Sequence, residues 1–402
     1  MFKNLSLKVI IFGFIFTFFS SFGQSFFLGL FNSSIRNELS ITHGQFGTIY
    51  ASATLLSSIF LIWLGKKIDD INIFKFASFV ILLLSFSCFF FSTISSILIL
   101  FIAIFLMRFS GQGMMSHTAT TTISRYFTKS RGKALSTGWF GLTAAEFILP
   151  VLIIYLLTIY NWKNIWIIIS GVVIIFLPIV SYLLIKNLNL DSREVTNDEN
   201  FKDENIKQWK RIEVIKDYRF YIICANMLAM PWIATGVFVY QSFILEQKNW
   251  GPYVIAQSFM IYSILSVITL FIAGYLIDKF TSKKLLIYMN IPLLLAAVVL
   301  FYFKSPISSF AFLGLIGISN GFANVLGSST WAELYGVKHI GSIKALTTAL
   351  MVFATAFGTA LFGVLIDIGF SIEQISTISG LYISISLIML FIIRNKLNPT
   401  ID

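Results

Sequence analysis

The chain has 402 residues, of which 57% are hydrophobic and only 12% charged. A soluble domain carries about a quarter of its residues as charged side chains, so there is too little charge here to cover a water-facing surface, and lipid must cover it instead. The formal net charge of +11 would suit a nucleic-acid partner only if Lys and Arg clustered on one soluble face. They lie instead in short loops between apolar runs, and nucleic acid is excluded as a partner.

The first apolar run, from about Val9 to Leu30, is too long for the apolar core of a signal peptide. It reads as a membrane helix, which needs about twenty mostly apolar residues. Runs of that length cover Lys8–Phe31, Phe46–Leu64, Ile73–Ser92, Ile97–Ser124, Ala134–Thr158 and Asn164–Ile185. After a polar stretch come Arg219–Ile244, Tyr253–Ile277, Lys284–Phe303, Ile307–Thr330, Ala345–Ile366 and Ile372–Ile393. The expected fold is an all-α membrane protein of twelve transmembrane helices in two six-helix bundles. The expected domains are 1–185, a linker 186–217, and 218–402. Within the linker Ile206, Trp209, Ile212 and Ile215 repeat at helical spacing beside Lys207, Lys210 and Arg211. This is either an amphipathic helix on the membrane surface or a solvated tether.

Loop charge sets the expected orientation. One side holds 24 Lys and Arg residues, and the other holds Arg36, Lys163, Lys248 and Lys304. Basic residues are retained in the cytoplasm, so both termini and the linker are expected there, in a multi-pass protein of the cell membrane. Cys88 and Cys224 lie inside apolar runs without metal-ligand spacing and are expected to pack helices. No cofactor or metal is expected.

The two halves repeat. Gly65-Lys66-Lys67-Ile68-Asp69-Asp70 at the end of the second run is echoed by Gly274-Tyr275-Leu276-Ile277-Asp278-Lys279 at the end of the eighth, 209 positions later. Lys133-Ala134-Leu135-Ser136-Thr137 opens the fifth run, and Lys344-Ala345-Leu346-Thr347-Thr348 opens the eleventh, 211 positions on. Parallel repeats of this kind are a transporter architecture.

The loop pattern Gly65-x-x-x-Asp69 and Gly274-x-x-x-Asp278-Lys279-x-x-x-Lys283-Lys284 resembles the signature of the major facilitator superfamily. Arg108-x-x-Gly111-Gln112-Gly113 resembles that family's second motif. Within the family, the stretches from Arg125 to Leu135 and from Ala332 to Gly336 are most similar to the monocarboxylate and oxalate/formate carriers. Asp70, Asn72 and Thr281 depart from the loop signature, and the glycine-proline motif of drug/proton antiporters is not recognisable in the fifth run. The resemblance implies a gate in which Asp69 meets the start of span eleven near Lys344, and Asp278 the start of span five near Lys133.

Strictly inside the runs, the charged and histidine side chains are Arg108, His117 and Glu146. An Arg at mid-membrane costs about 2.5–3.5 kcal/mol on insertion scales and must face the bundle interior. Either Arg108 pairs with Glu146, or it binds an anionic substrate or controls proton exchange. His117, nine residues on, falls nearly opposite on an α-helix and reads as a packed, hydrogen-bonded residue. Further cavity candidates are Gln24, Trp232, Tyr240, Asn320 and Asn324, each of which could instead bond a neighbouring helix. With no ATP-binding loop, the expected function is secondary transport of a small solute by a monomer. An organic monoanion moved with a proton is the favoured cargo, because one buried cation fits one negative charge. An amphiphilic-drug exporter and a non-transporting membrane receptor are the alternatives.

Overall fold

Several spans begin where a polar side chain accepts from the free N–H groups of the first turn. Thr42 Oγ1 accepts from Gln45 N (3.2 Å) while Gln45 Oε1 accepts from Thr42 N (2.9 Å), a reciprocal cap that opens span two. Ser371 and Gln374 cap span twelve reciprocally too, while Asn72, Ser96 and Asn161 only accept from the first turns of spans three, four and six. In the computed structural model, the described residues are 2–127, 131–186, 207–336 and 339–397, with the side chains at 2–5, 69, 131–133, 278, 328 and 341 left undescribed. No strand occurs among them.

Among the described residues, twelve helices are long and apolar enough to cross a membrane. They are Ser6–Gly23, His43–Ile68, Ile73–Phe91, Ile97–Tyr126, Ala134–Leu157 and Trp162–Ile185, then Tyr218–Val239, Tyr253–Ile277, Ser282–Tyr302, Ser308–Tyr335, Ser342–Asp367 and Ile372–Lys396. We number them spans one to twelve. By contacts the chain falls into two units, Met1–Asn197 with Phe238–Ser242, and Asp198–Val237 with Phe243–Asp402.

The first unit is built around Trp166 of span six, whose indole meets Phe27, Phe31 and Phe91 at ring distances of 5.5, 5.0 and 4.4 Å. Spans three and six are tied by two serines that exchange bonds, Ser170 Oγ donating to Ser85 O (2.8 Å) and Ser85 Oγ to Ser170 O (3.1 Å). Small hydroxyl residues let helices approach and bond where no water competes. The opposite face of span six, with Ile175, Ile179 and Leu183, is exposed, as a lipid-facing stripe must be. The stretch Phe238–Ser242 joins this unit because Asn32 Nδ2 donates to Val239 O (2.7 Å) and Gln241 Nε2 to Phe26 O (3.0 Å).

The second unit has a core cluster around Trp331 and Tyr335 of span ten, with Phe220, Cys224, Leu286, Leu390 and Ile393 packed against them. The end of the linker belongs to this cluster. Trp209 N donates to Tyr335 O (3.0 Å), its ring lies 5.4 Å from that of Tyr335, and a short helix Arg211–Lys216 buries Val214. The apolar face is therefore set by Trp209 and Val214 rather than by the Ile206, Trp209, Ile212, Ile215 spacing. Ile212 is exposed, and Ile206 lies outside the described residues.

The crossing of spans one and five recurs in spans seven and eleven. A Cβ at Gly141 would overlap the carbonyl of Phe14, and one at Gly358 the carbonyl of Trp232.

Candidate functional site

Span one does not stay helical. Beyond Ser20 the chain makes a 3-10 turn at Ser21–Gly23, becomes extended at Gln24 (φ −83°, ψ 153°), and re-forms a short helix at Ser25–Leu28. The local sequence Ser20-Ser21-Phe22-Gly23-Gln24-Ser25 explains why. Serines compete for backbone carbonyls, as Ser20 Oγ does for Thr17 O (2.6 Å), and glycine is a poor helix former. Span four is irregular too, with a π-helix over Arg108–Met115. Wide turns of this kind interrupt α-helices mainly at functional sites.

The two irregular stretches abut. A Cβ on Gly111 would stand 2.6 Å from Gly23 N, and one on Gly23 would stand 2.9 Å from Gly111 Cα. Only glycine at both positions lets backbone meet backbone at this distance. The break in span one leaves the Gly23 carbonyl without a helical partner, and Arg108 takes it. Arg108 Nη1 donates to Gly23 O (3.0 Å) and to Ser25 Oγ (3.3 Å). The guanidinium lies 5.3 Å from the centre of the Tyr50 ring, and the Tyr50 hydroxyl donates to Ser25 Oγ (3.0 Å).

Arg108 is 2% exposed, and among the described residues its Nε–H has no partner. Among the described residues no carboxylate comes within 4.0 Å of it. The pairing of Arg108 with Glu146 is therefore not made. The span-one carbonyl and the Ser25–Tyr50 hydroxyls hold the guanidinium instead. Glu146 is partly buried in span five. It sits two residues, about 200° of helix turn, from Ile148 on the exposed stripe Ile148–Leu152–Tyr155, so it points away from that stripe.

The other candidates are scattered. Gln24 is half-buried at the break itself. His117 Nε2 bonds the Gly65 carbonyl at 2.9 Å, as a packed histidine does. A carbonyl only accepts, which puts the ring proton on Nε2. Arg125 Nη1 donates to Ile68 O (3.0 Å) a turn further along span two. Trp232 is buried against Tyr382, Phe357 and Phe362. The Tyr240 hydroxyl donates to His43 O (2.9 Å). Asn320 Nδ2 donates to Ser266 Oγ (2.9 Å), whereas Asn324 is exposed. In the loop signature, Gly65 is buried, Gly274 has open space about it and Lys344 is exposed. The side chains of Asp69, Lys133 and Asp278 lie outside the described residues.

Sequence reading missed Gly23, Ser25 and Tyr50. The run of small and polar residues from Ser20 to Ser25 inside an apolar stretch was the available sign of a broken span. Nothing local marks Tyr50, whose role comes from packing alone.

Two six-span units with a cation buried in the first define a polytopic membrane transporter. The chain belongs to the Major Facilitator Superfamily, whose profile matches residues 13–359. No curated protein matches the sequence. Among solved structures it is similar to a bacterial homolog of the human lysosomal transporter Spinster in an inward-facing and occupied conformation. That match has 13% identity and a TM-score of 0.71, covering 98% of this chain and 97% of the other. It is similar also to the nucleoside transporter NupG, at 14% identity and a TM-score of 0.72, over 98% and 99% of the two chains. The fold is shared, and the protein is a transporter rather than an enzyme.

Proposed function

We propose that the protein carries a small organic monoanion together with a proton by alternating access, as a monomer in the cell membrane with both termini cytoplasmic. The observation that supports the cargo is Arg108, a cation buried in the first unit without a carboxylate partner among the described residues. A buried charge is costly unless neutralised, and a bound anion neutralises it during each transport cycle. Glu146, half-buried away from the exposed stripe of its span, carries the proton. Gly65, Asp69, Gly274 and Asp278, with Lys133 and Lys344, control the switch, as the likeness to the loop signature suggests. The same likeness supports a monocarboxylate as cargo.

Ligand-induced thermal stabilisation of the detergent-purified protein tests the reading. The panel holds small monocarboxylates, nucleosides, sugars and amphiphilic cations, each on wild type, Arg108→Lys and Arg108→Gln. Stabilisation by monocarboxylates that Arg108→Gln abolishes, followed by proton-driven uptake into proteoliposomes, supports it. Stabilisation by nucleosides, sugars or amphiphilic cations, unchanged in the Arg108 variants, overturns the anion assignment. Binding without counterflow would make the protein a receptor.

A further inference from the structure

We propose that Ser25 donates a hydrogen bond to the carboxylate of the transported anion, and that Tyr50 positions Ser25 to do so. This rests on the reading of Arg108 as the anion's cation.

A serine hydroxyl has one proton and two lone pairs. At Ser25 both lone pairs are in use. Arg108 Nη1 can only donate, and it does so at 3.3 Å. The Tyr50 hydroxyl donates at 3.0 Å. Ser25 is therefore left with its proton, and that proton has to point away from both Arg108 and Tyr50. Among the described residues nothing accepts it. The residue is only 8% exposed, so bulk water does not substitute. Beside it the Nε–H of Arg108 is also unaccepted.

The cluster thus has donors to spare and no acceptor for them, in a place where an unmade hydrogen bond is expensive. A carboxylate is the complementary group, since it only accepts, offers two oxygens and brings the missing negative charge. An amide or an alcohol accepts fewer bonds and leaves the guanidinium uncompensated. The role of Tyr50 follows from the same count. Without its phenolic proton, Ser25 regains a free lone pair and its hydroxyl rotates, while the ring still covers the guanidinium.

The experiment measures dissociation constants of acetate, lactate and benzoate, and of acetamide and benzamide, on the full-length protein in detergent. The variants are wild type, Ser25→Ala, Ser25→Cys, Tyr50→Phe and Arg108→Gln, each with its ligand-free melting temperature recorded. Ser25→Ala is expected to weaken carboxylates by about ten- to a hundred-fold, the loss of one bond to a charged group. Tyr50→Phe is expected to weaken them by about three- to tenfold, with a small fall in the ligand-free melting temperature from the lost bond to Ser25. Amide binding, with one accepting oxygen and no charge, should fall less than carboxylate binding in both. Ser25→Cys keeps the shape with a weaker donor, so it serves in place of the alanine variant if that one does not fold. If wild type binds no carboxylate, the Arg108 reading falls and this inference with it. If wild type binds and Arg108→Gln does not, but the Ser25 and Tyr50 variants stay within about twofold of wild type, this inference alone is overturned. Carboxylate and amide affinities falling in parallel would also overturn it, because that marks a packing defect.

Discussion

Lys163 and Glu373 stand 210 positions apart at the start of the sixth and twelfth spans, and they carry opposite charges in matching ion pairs. Lys163 pairs with Glu38, and Glu373 pairs with Lys248 at 2.8 Å. Glu38 and Lys248 are themselves 210 positions apart. Each lies in the last turn of a helix that follows the first span of its unit, two residues before Ser40 (φ 52°) in one unit and one before Asn249 (φ 53°) in the other. The position of the bridge has been kept while its polarity is reversed. What each unit needs is the tie between these two helix ends, not a particular sign at either end.

Reversal should therefore be tolerated only in pairs. Lys163→Glu alone sets two carboxylates against each other, and Glu38→Lys added to it restores the bridge. The pair is about a third exposed at each end, so the single change is expected to cost about 0.2–1 kcal/mol. The double change returns the ion pair but not the bond from Trp162 Nε1 to Glu38 (3.0 Å), since a lysine cannot accept. Melting temperatures of the two singles and the double, taken in one detergent, give the coupling. Additive losses would mean the bridge contributes nothing.

The equivalent change in the second unit should be much costlier. The Lys248 side chain is 0% exposed against 28% for Glu373. Glu373→Gln leaves an ammonium buried without its counter-charge, and breaking a buried pair in this way costs about 3–5 kcal/mol. The variant should melt well below its counterpart Glu38→Gln. Equal melting temperatures would show that Lys248 finds water once its partner is gone.

The sequence alone carried the membrane architecture furthest. Twelve apolar runs, and the two echoes of glycine-aspartate and lysine-alanine-leucine, were legible because lipid forces long uniform helices and a repeat preserves their spacing. Arg108 was legible because a lone cation in such a run is conspicuous. Its surroundings were not. Span one reads as one run to Phe31, yet it breaks at Ser21–Gln24, and hydropathy averages over such a break. Glu146 was the natural partner by charge and depth, but a carbonyl freed by that break was nearer to hand. The π-helix at Arg108–Met115 also invalidates any face assignment made at 3.6 residues per turn beyond it, including that of His117. The Glu38–Lys163 and Lys248–Glu373 ties were hidden by their reversed sign, since a search for repeats rewards identity.

The docked end of the linker should respond to acid. Glu213 accepts from Lys210 N (2.7 Å) and lies 3.3 Å from Lys207 Nζ. The backbone bond first, and then Lys207, hold its carboxyl below the usual range. A depressed folded value means that the stabilisation is present above the unfolded value of about 4.3 and lost as pH falls through the folded one. Amide exchange across 207–217 should therefore quicken below about pH 4 relative to the interior of span ten. Glu213→Gln keeps an acceptor for Lys210 N but cannot titrate, so it should remove that pH dependence. A wild-type profile that the glutamine variant reproduces would mean another group governs the docking.

The contact between Gly23 and Gly111 sets the last expectation. The Arg108 site exists because two broken helices touch there, and the contact leaves no room for a methyl group. Gly111→Ala places a Cβ 2.6 Å from Gly23 N and 2.8 Å from its Cα. Backbone atoms cannot turn aside as a side chain can, so span one must move outward. Overpacking of this kind costs about 1–3 kcal/mol, and the same displacement draws Gly23 O and Ser25 away from Arg108. Gly111→Ala should thus lower the melting temperature and weaken carboxylate binding together. Gly171→Ala, in span six with nothing within 4 Å of the new atom, should change neither. Measured side by side, a Gly111→Ala protein that melts low yet binds carboxylates as wild type does would separate the helix contact from the site. Recognition would then depend on span four alone.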